Sequence, residues 1–343
     1  MRFSKQIKSL DREIFPLRKK YSFFNRLYNH LSEINIEHSF HSKNFKDTAI
    51  KKAQHSLDSL LEPTNTSNES SDIPKIIWIF WDSGFENAPD VVKLSVESWQ
   101  KLNPNYQVNL LNDSNLEQFL GFDFHAMHQL SSIRCLPPTK ADLLRLHLLS
   151  KHGGVWTDAT TFCLKPLDEW LPEATKECNL FTFVHRINPT RPIEAWFIAS
   201  PKGSKIINDT LKGFVNYIFE KRTISLFISG KVPLLEKVIT GEEKTRPLEP
   251  DVAKRAEKYG FMPYFSIGYF FYHALKKHLS EKQLNTFLRK GDGLMTNKHA
   301  LTKDDYSIFE DSVVSKQTYI SSYVSSEKFK ERKNFLMKRI NDM

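Results

Sequence analysis

The sequence predicts an α/β protein built on a mostly parallel sheet that is flanked by helices. Three observations support this fold class. A nearly continuous apolar run at residues 75–81 has the pattern of a strand buried on both faces. A segment with helical spacing follows at residues 89–99, and a second short strand pattern lies at residues 106–111. Strand, helix and strand in this order are typical of parallel neighbours, because these need a crossover connection between them.

The first predicted helix has Val92, Val96 and Trp99 on one face, and Asn103 followed by Pro104 ends it. After the second strand, residues 112–114 open a short helix that continues to residue 119. Asn, Asp and Ser are residues that commonly begin helices. The alternation of strands and helices therefore continues past the second strand.

A longer helix is predicted from Lys140 to His152, and the pair Gly153 and Gly154 ends it. Glycine adopts the left-handed backbone conformation that such a tight reversal needs. The next strand is expected at residues 155–158, with further strands at 181–184 and 195–199 and helices from residue 204 and over 269–278.

The chain divides by composition into four parts. Residues 1–62 form a basic helical N-terminal region, 63–72 a polar linker or exposed loop, 73–325 the α/β domain, and 326–343 a basic C-terminal helix or tail. Residues 1–60 hold twelve Lys or Arg against six Asp or Glu, which leaves +6 of the net charge of +9 in that stretch. Such charge suits an anionic membrane surface or a phosphate-bearing substrate, and solubility alone is the alternative.

Several function classes lose support. The basic residues match no helix-turn-helix, RRM or zinc-finger pattern, so no nucleic-acid partner is expected. The sequence has no phosphate-binding P-loop, dinucleotide fingerprint, HExxH or GxSxG motif, which argues against kinases, dinucleotide oxidoreductases, zinc peptidases and α/β-hydrolases.

No apolar run approaches the roughly eighteen residues of a membrane span, no secretory signal pattern is present, and three cysteines form no CxxC pair. A cytoplasmic protein is expected.

One dense block at residues 138–160 combines charged, glycine and aromatic residues. Asp142 and Arg145 are three positions apart on the predicted helix and therefore share a face. Asp158 comes at the end of the predicted strand, where ligands bind in open α/β sheets. Positions i and i+2 of a strand point to one side, so Asp158 and Thr160 are expected to face one cation together.

Four segments carry a resemblance to a known family: residues 73–81, 141–145, 153–158 and 165–167. In this order they resemble the capsular polysaccharide synthesis family of glycosyltransferases, which has a DxD sugar-binding region similar to glycosyltransferase family 32. The resemblance covers residues 73–170. It implies a bacterial enzyme with a GT-A-like fold, retention of the anomeric configuration, and a nucleotide-diphosphate sugar donor, expected to be a UDP-sugar. It also implies a glycan or lipid-linked glycan acceptor of surface polysaccharide, and hence peripheral contact with the inner face of the cell membrane.

The resemblance also implies roles for individual residues. Phe80, Trp81 and Asp82 would lie by the nucleotide, and Asp142 and Arg145 would hydrogen-bond the donor sugar or ribose. Asp158, Asp142 and Arg145 would be catalytic. Asp158 would bind Mn²⁺ or Mg²⁺ together with Thr160, which stands where the family motif has a second carboxylate. Residues 315–319 resemble a segment that closes over the diphosphate, with Lys316 as the cation.

Structural alternatives exist for two of these residues. Thr139 and Asp142 fit a helix capping box, with Thr139 as the N-cap and Asp142 at the third helical position. Arg145 could pair with Asp142 on the surface of the helix. Either role would explain the residue types without catalysis.

Two other functions remain alternatives. A sugar-phosphate or nucleotidyl transferase of polysaccharide synthesis would recognise a diphosphate in a similar way. A non-catalytic assembly or scaffold protein would be consistent with Thr160 in place of a second carboxylate.

Overall fold

Residues 14–31, 43–62, 72–133, 135–184, 191–229, 249–293 and 306–342 are described by a computed structural model of the chain. The helices that follow the helical residues 14–20 are α1 (Ser22–Leu31), α2 (Lys43–Leu61), α3 (Asp90–Leu102), α4 (Leu116–Leu120), α5 (Pro137–His152), α6 (Leu167–Thr175), α7 (Lys205–Ile218), α8 (Glu249–Glu257), α9 (Ser266–His278), α10 (Glu281–Gly293), α11 (Tyr306–Asp311), α12 (Ser321–Val324) and α13 (Glu327–Asn341). The strands are β1 (Ile76–Phe80), β2 (Gln107–Leu111), β3 (Gly154–Thr157), β4 (Thr161–Cys163), β5 (Phe181–Val184), β6 (Ile193–Ser200), β7 (Phe227–Ser229), β8 (Phe261–Pro263) and β9 (Val314–Lys316).

The central sheet has five strands in the order β2-β1-β3-β6-β5. β1 pairs in parallel with both β2 and β3, whereas β6 is antiparallel to its neighbours β3 and β5. Four of the five strands therefore run in one direction. This confirms the predicted mostly parallel sheet flanked by helices.

Strand β1 is buried on both faces, as its continuous apolar run predicts. Ile77 and Ile79 belong to a large hydrophobic core that also contains residues of α3, α6 and α13. The alternate residues Trp78 and Phe80 lie outside that cluster and are buried as well. Because alternate side chains of a strand point to opposite faces, both faces of the sheet are covered at β1.

The double glycine after α5 is required by the packing of β3 against β1. Gly153 and Gly154 have φ values of +70° and +96°, which favour glycine. A Cβ atom on Gly154 would lie 2.5 Å from the carbonyl oxygen of Ile76. The indole N–H of Trp78 donates to the carbonyl oxygen of Gly153 at 3.0 Å. The glycines let α5 end in a tight reversal, as the sequence predicts, and they let β3 enter directly beside β1.

The chain divides into two compact units, each made of three segments. Unit 1 comprises Met1–Pro63, Glu117–His147 and Asp209–Ala274, and unit 2 comprises Thr64–Leu116, Leu148–Asn208 and Leu275–Met343. Unit 2 holds the five-stranded sheet and the pair β4-β9, and unit 1 holds α1, α2 and the parallel pair β7-β8. Among the described helices, none combines the length and apolar character needed to cross a membrane.

The helices predicted for the N-terminal region and for the C-terminal segment are present where those residues are described. Residues 14–20, 22–31 and 43–61 are helical, while 1–13 and 32–42 lie outside the described residues, as does most of the predicted linker, 63–71. The basic C-terminal segment forms α13, and Phe329, Leu336 and Ile340 anchor it in the core of unit 2. The division into sequential domains stays a prediction.

Two predicted boundaries were wrong for local reasons. The side-chain oxygen of Asn112 accepts from the backbone N–H groups of Ser114 (2.9 Å) and Asn115 (3.2 Å). This is an Asx turn, so α4 begins only at Leu116. Residues 158–160 form a turn after β3 rather than the end of a strand. The expectation that Asp158 and Thr160 share one side of a strand therefore does not hold.

Candidate active site at the carboxyl edge of the sheet

Asp158 follows β3 directly and is fixed by its backbone and its side chain. Its backbone N–H donates to the carbonyl oxygen of Trp196 at 2.9 Å. Its Oδ1 accepts from the indole N–H of Trp156 at 3.1 Å. Trp156 is 1% exposed, so a core residue sets the orientation of the carboxylate. Asp158 thus lies immediately after the carboxyl end of β3, which is parallel to β1. The predicted edge of the sheet is confirmed, although the strand ends one residue earlier than predicted.

Lys316 meets Asp158 through the pairing of β4 with β9. These strands are antiparallel, and Thr161 lies opposite Lys316. The ammonium Nζ of Lys316 is 2.6 Å from Oδ2 of Asp158, and the two side chains are 18% and 26% exposed. Charge-assisted hydrogen bonds of this length are stronger than neutral ones. The structure thus brings together two predicted site residues from distant parts of the sequence.

A buried glutamine holds the end of β9 against the turn. The backbone N–H of Gln317 donates to the carbonyl oxygen of Thr160 at 2.7 Å. Its side-chain amide donates to Oγ of Ser315 at 2.7 Å, and its Oε1 accepts from the hydroxyl of Tyr323 and from Arg332 (3.3 Å). These bonds fix the backbone next to Lys316, whose ammonium donates to Asp158.

A second buried network fixes the turn from the other side. The hydroxyl of Thr161 donates to the carbonyl oxygen of Asp158 at 2.8 Å. A hydroxyl has one hydrogen to donate, so Thr161 accepts from the indole N–H of Trp99 (3.0 Å) and from the hydroxyl of Thr157 (2.7 Å). The turn that carries Asp158 is therefore held by the core.

An aromatic pair lies at the end of β1. The rings of Trp81 and Tyr319 are 5.4 Å apart at 88°, and Tyr319 is 56% exposed. The backbone of Trp81 donates to Leu111 at 3.0 Å, and the carbonyl oxygen of Asp82 accepts from Asp113 at 3.0 Å. These bonds hold the residues that leave β1 beside those that leave β2.

The predicted nucleotide residues at this strand end differ in exposure. Phe80 is buried at 6% exposure, whereas Trp81 and Asp82 are partly exposed. Trp81 and Asp82 can therefore meet a ligand, and Phe80 supports them from the core. Because β1 and β3 are parallel, their carboxyl ends meet at one edge of the sheet.

Asp142 and Arg145 belong to unit 1, where they form a buried ion pair. Oδ1 of Asp142 and Nη2 of Arg145 are 3.3 Å apart, and the residues are 7% and 5% exposed. The shared face predicted from their spacing is confirmed. The alternative that Arg145 pairs with Asp142 is confirmed, but the pair is buried rather than on the surface of the helix.

The capping box predicted for Thr139 and Asp142 is also wrong. Helix α5 begins at Pro137, since proline fits the first turn of a helix, where an N–H is not needed. Thr139 is the third helical residue and is 4% exposed. Asp142 is therefore too far along the helix to take part in an N-terminal cap.

The described residues offer few ligands to a divalent cation at Asp158. Within the described segments, no three His, Cys, Asp or Glu side chains are grouped so that they could hold a metal ion. Asp158 contributes one carboxylate, and Lys316 and Trp156 donate to its two oxygens. Mg²⁺ and Mn²⁺ prefer several oxygen ligands. Lys316 places a positive charge 2.6 Å from Asp158, and Mn²⁺ or Mg²⁺ on Asp158 and Thr160 stays a prediction.

Tyr319 and Gln317 are the site residues that the sequence did not single out. Both belong to the segment 315–319 that suggested Lys316, but strand β9 has only three residues. A run this short has no periodicity to detect. The one sequence signal for a ligand contact in this segment was an aromatic residue three positions after Lys316.

Comparisons with known proteins agree on the class of protein. The model of the family described as capsular polysaccharide synthesis protein matches residues 26–229. An initiation-specific alpha-1,6-mannosyltransferase of Saccharomyces cerevisiae is 27% identical over 169 residues, which are 41% of this chain and 35% of that protein. The O-glycosyltransferase braB of Annulohypoxylon truncatum is 26% identical over 154 residues, 41% of this chain and 37% of that protein.

The chain therefore spans about a third of the length of these curated relatives, both of which are fungal. Among solved structures, the PaToxG glycosyltransferase matches with a TM-score of 0.29 and 19% identity, over 71% of this chain and 92% of that one.

Proposed function

Since the chain belongs to the capsular polysaccharide synthesis protein family, we propose that it is a glycosyltransferase that moves a sugar from a nucleotide-diphosphate sugar to a glycan acceptor. The observation that carries this proposal is the ion pair of Asp158 and Lys316 at the carboxyl edge of the sheet. The names of the relatives described above support the same reaction class.

Lys316 is the residue that meets the leaving group. In glycosyl transfer, the bond between the anomeric carbon and the diphosphate oxygen breaks, and its electron pair departs on the nucleoside diphosphate. A positive group fixed before the reaction stabilises the charge that develops there. The ammonium of Lys316 is fixed by Asp158 and by the pairing of β9 with β4.

Asp158 positions this ammonium in the absence of donor. When the diphosphate attracts Lys316, Oδ2 of Asp158 becomes available to a hydroxyl of the donor sugar, while Trp156 still holds Oδ1. A carboxylate that accepts from a sugar hydroxyl fixes the orientation of the ring. The pair thus links binding of the diphosphate to orientation of the sugar.

The aromatic pair is suited to the flat part of the nucleotide. Trp81 is partly exposed at the end of β1, and Tyr319 is three residues after Lys316. Aromatic rings stack on nucleobases with little dependence on which base is present. We place the base at Trp81 and Tyr319, with Asp82 beside it.

Asp142 and Arg145 remain candidates for contacts with the donor sugar or ribose, on the basis of the family resemblance. Their burial and pairing support a structural contribution in addition. Retention of configuration, a UDP-sugar, a capsular or lipid-linked acceptor and a cytoplasmic bacterial setting are further proposals that rest on the same resemblance.

Metal assistance by Mn²⁺ or Mg²⁺ is the part of the proposal that the site supports least. Bound at Asp158 and Thr160, such an ion would supply positive charge to the departing diphosphate. Lys316 already donates to the carboxylate that would bind it. We therefore assign the neutralisation of the leaving group to Lys316.

The test is incubation of the full chain with a panel of nucleotide sugars (UDP-glucose, UDP-galactose and GDP-mannose) and separation of the nucleotide products. Release of nucleoside diphosphate supports glycosyl transfer. Release of nucleoside monophosphate would identify a sugar-phosphate transferase instead. A nucleotidyl transferase would be identified in a parallel incubation with a nucleoside triphosphate and a sugar 1-phosphate, from which it releases pyrophosphate. Absence of any thermal shift with every donor would support the scaffold alternative, because a ligand that binds the native state raises its stability.

A further inference from the structure

The helical N-terminal residues of unit 1 bury a charged residue and expose apolar ones. Arg18 is 2% exposed and Tyr28 is 6% exposed. The guanidinium of Arg18 lies 3.5 Å from the centre of the Tyr28 ring and donates to the carbonyl oxygen of Ser225 at 2.5 Å. The buried side of these helical residues is thus fixed to the rest of unit 1 by polar and cation–π contacts. A helix of a soluble protein normally has the reverse arrangement.

Five large apolar residues lie on the exposed side, and we call them the apolar ridge. They are 42–68% exposed: Leu17, Tyr21, Phe23, Phe24 and Leu27. Phe24 contacts both neighbouring rings, with centroid distances of 6.1 Å to Tyr21 and 5.8 Å to Phe23. In α1, Phe23 and Leu27 are four positions apart and so share a face. The rings of Tyr21, Phe23 and Phe24 therefore form one cluster at the centre of the ridge.

Three exposed cations flank the ridge, and residues 14–31 contain no Asp or Glu. These cations are Lys19, Lys20 and Arg26. The ammonium of Lys20 lies 5.3 Å from the centre of the Tyr21 ring. Positive charge and exposed rings therefore occupy the same short stretch.

We propose that the apolar ridge and its flanking cations dock on an anionic lipid bilayer. Aromatic and Leu side chains beside Lys and Arg are suited to the boundary between head groups and acyl chains, where each basic residue also attracts anionic lipid. The core of a protein–protein interface is instead depleted of Lys. The sign and position of the charges thus favour a lipid surface over a second protein.

The experiment is cosedimentation of the full chain with vesicles of phosphatidylcholine alone or of phosphatidylcholine with phosphatidylglycerol. The double variant Phe23→Ser with Phe24→Ser removes the centre of the ridge. The matched control is Phe119→Ser, because Phe119 is an exposed phenylalanine of α4 (39%) outside the ridge. Partition of each variant is compared at low and at high salt, with its thermal unfolding measured in parallel.

We expect binding to the anionic vesicles that decreases at high salt. The double variant should bind about tenfold more weakly or worse, since two partly exposed rings no longer enter the bilayer, and the control should bind like the native chain. The variant Phe23→Trp gives a second test, which detects insertion of the side chain into the bilayer directly and not through weakened binding. Its additional fluorescence should be quenched by brominated lipid.

Three results would overturn the proposal. Absence of vesicle binding at low salt would do so. Equal binding by the double variant would mean that basic residues elsewhere attract the lipid. Self-association of the chain without vesicles, lost in the double variant, would identify a second copy as the occupant of the ridge.

Discussion

Oδ2 of Asp158 and Nζ of Lys316 are 2.6 Å apart, although the two residues are separated by 158 positions in the sequence. Asp158 follows a central strand, and Lys316 ends a strand of a separate two-stranded sheet. The pair therefore depends on the packing of β9 against β4, and its members can be tested one at a time.

Lys316→Met should reduce release of nucleoside diphosphate by about 10²-fold or more, because it removes the fixed positive group from the leaving phosphates. Lys316→Arg should retain part of the activity. Lys75→Met is the matched control, since Lys75 and Asp168 form an ion pair of similar length (2.7 Å) with more exposed side chains. A Lys316→Met enzyme as active as the control would remove Lys316 from the mechanism.

Chelation with EDTA should leave most of the activity of the native chain, because we assign neutralisation of the leaving diphosphate to the ammonium of Lys316 and not to a divalent ion. Asp158→Ala should inactivate the enzyme with or without added Mn²⁺, since Lys316 then loses its positioning partner. Activity is measured after the metal content of the chelated protein has been determined. Loss of activity in EDTA with recovery in Mn²⁺ would show that the metal expected from the family resemblance is used.

Asp142→Ala should lower the free energy of unfolding by about 3 kcal/mol or more, because it leaves the buried charge of Arg145 without this ion-pair partner. A capping role would be worth only about 0.5–1 kcal/mol. Urea denaturation distinguishes the two values. Asp142→Asn keeps the shape of the side chain, so its activity at a temperature where it is fully folded tests the role in donor binding separately.

Gly154→Ala should be more destabilising than Gly121→Ala, although both glycines have positive φ (+96° and +78°). The added Cβ would lie 2.5 Å from the carbonyl oxygen of Ile76 at Gly154, whereas nothing lies within 4 Å of it at Gly121. Gly121→Ala should cost only the backbone strain, about 1–2 kcal/mol. Equal unfolding free energies for the two variants would mean that β1 and β3 move apart at little cost.

Burial lowers the pKa of His128 to about 3. In the described residues neither of its ring nitrogens has a hydrogen-bond partner. As the pH falls below about 6.5 the unfolded chain binds a proton there and the folded chain does not, so stability decreases down to about pH 3. Between pH 7.5 and 5.5, the native chain should lose about 1.4 kcal/mol more than His128→Gln. Parallel pH dependences in urea denaturation would contradict this.

The sheet was predictable because its signals are local. The apolar run of β1, the double glycine and the strand before Asp158 each lie within a few residues, and Asp158 was chosen as a site residue from such a segment. Lys316 was chosen because residues 315–319 resemble a segment of the family. Their direct contact could not be predicted, because it depends on β4 and β9, which have three residues each. The start of α5 was missed because Pro137 fits a helix only in its first turn.

The separation of Asp158 from Lys316 also bears on how the protein becomes active during its synthesis. At roughly 5–20 residues per second, the ribosome needs on the order of 8–30 s to add the 158 residues between them. Until β9 has emerged and docked, the nascent chain has the central sheet but not the ammonium beside its carboxylate. Such a long-range contact also forms slowly during folding. The ion pair is thus completed only after β9 has been added to the chain, rather than when the sheet first forms.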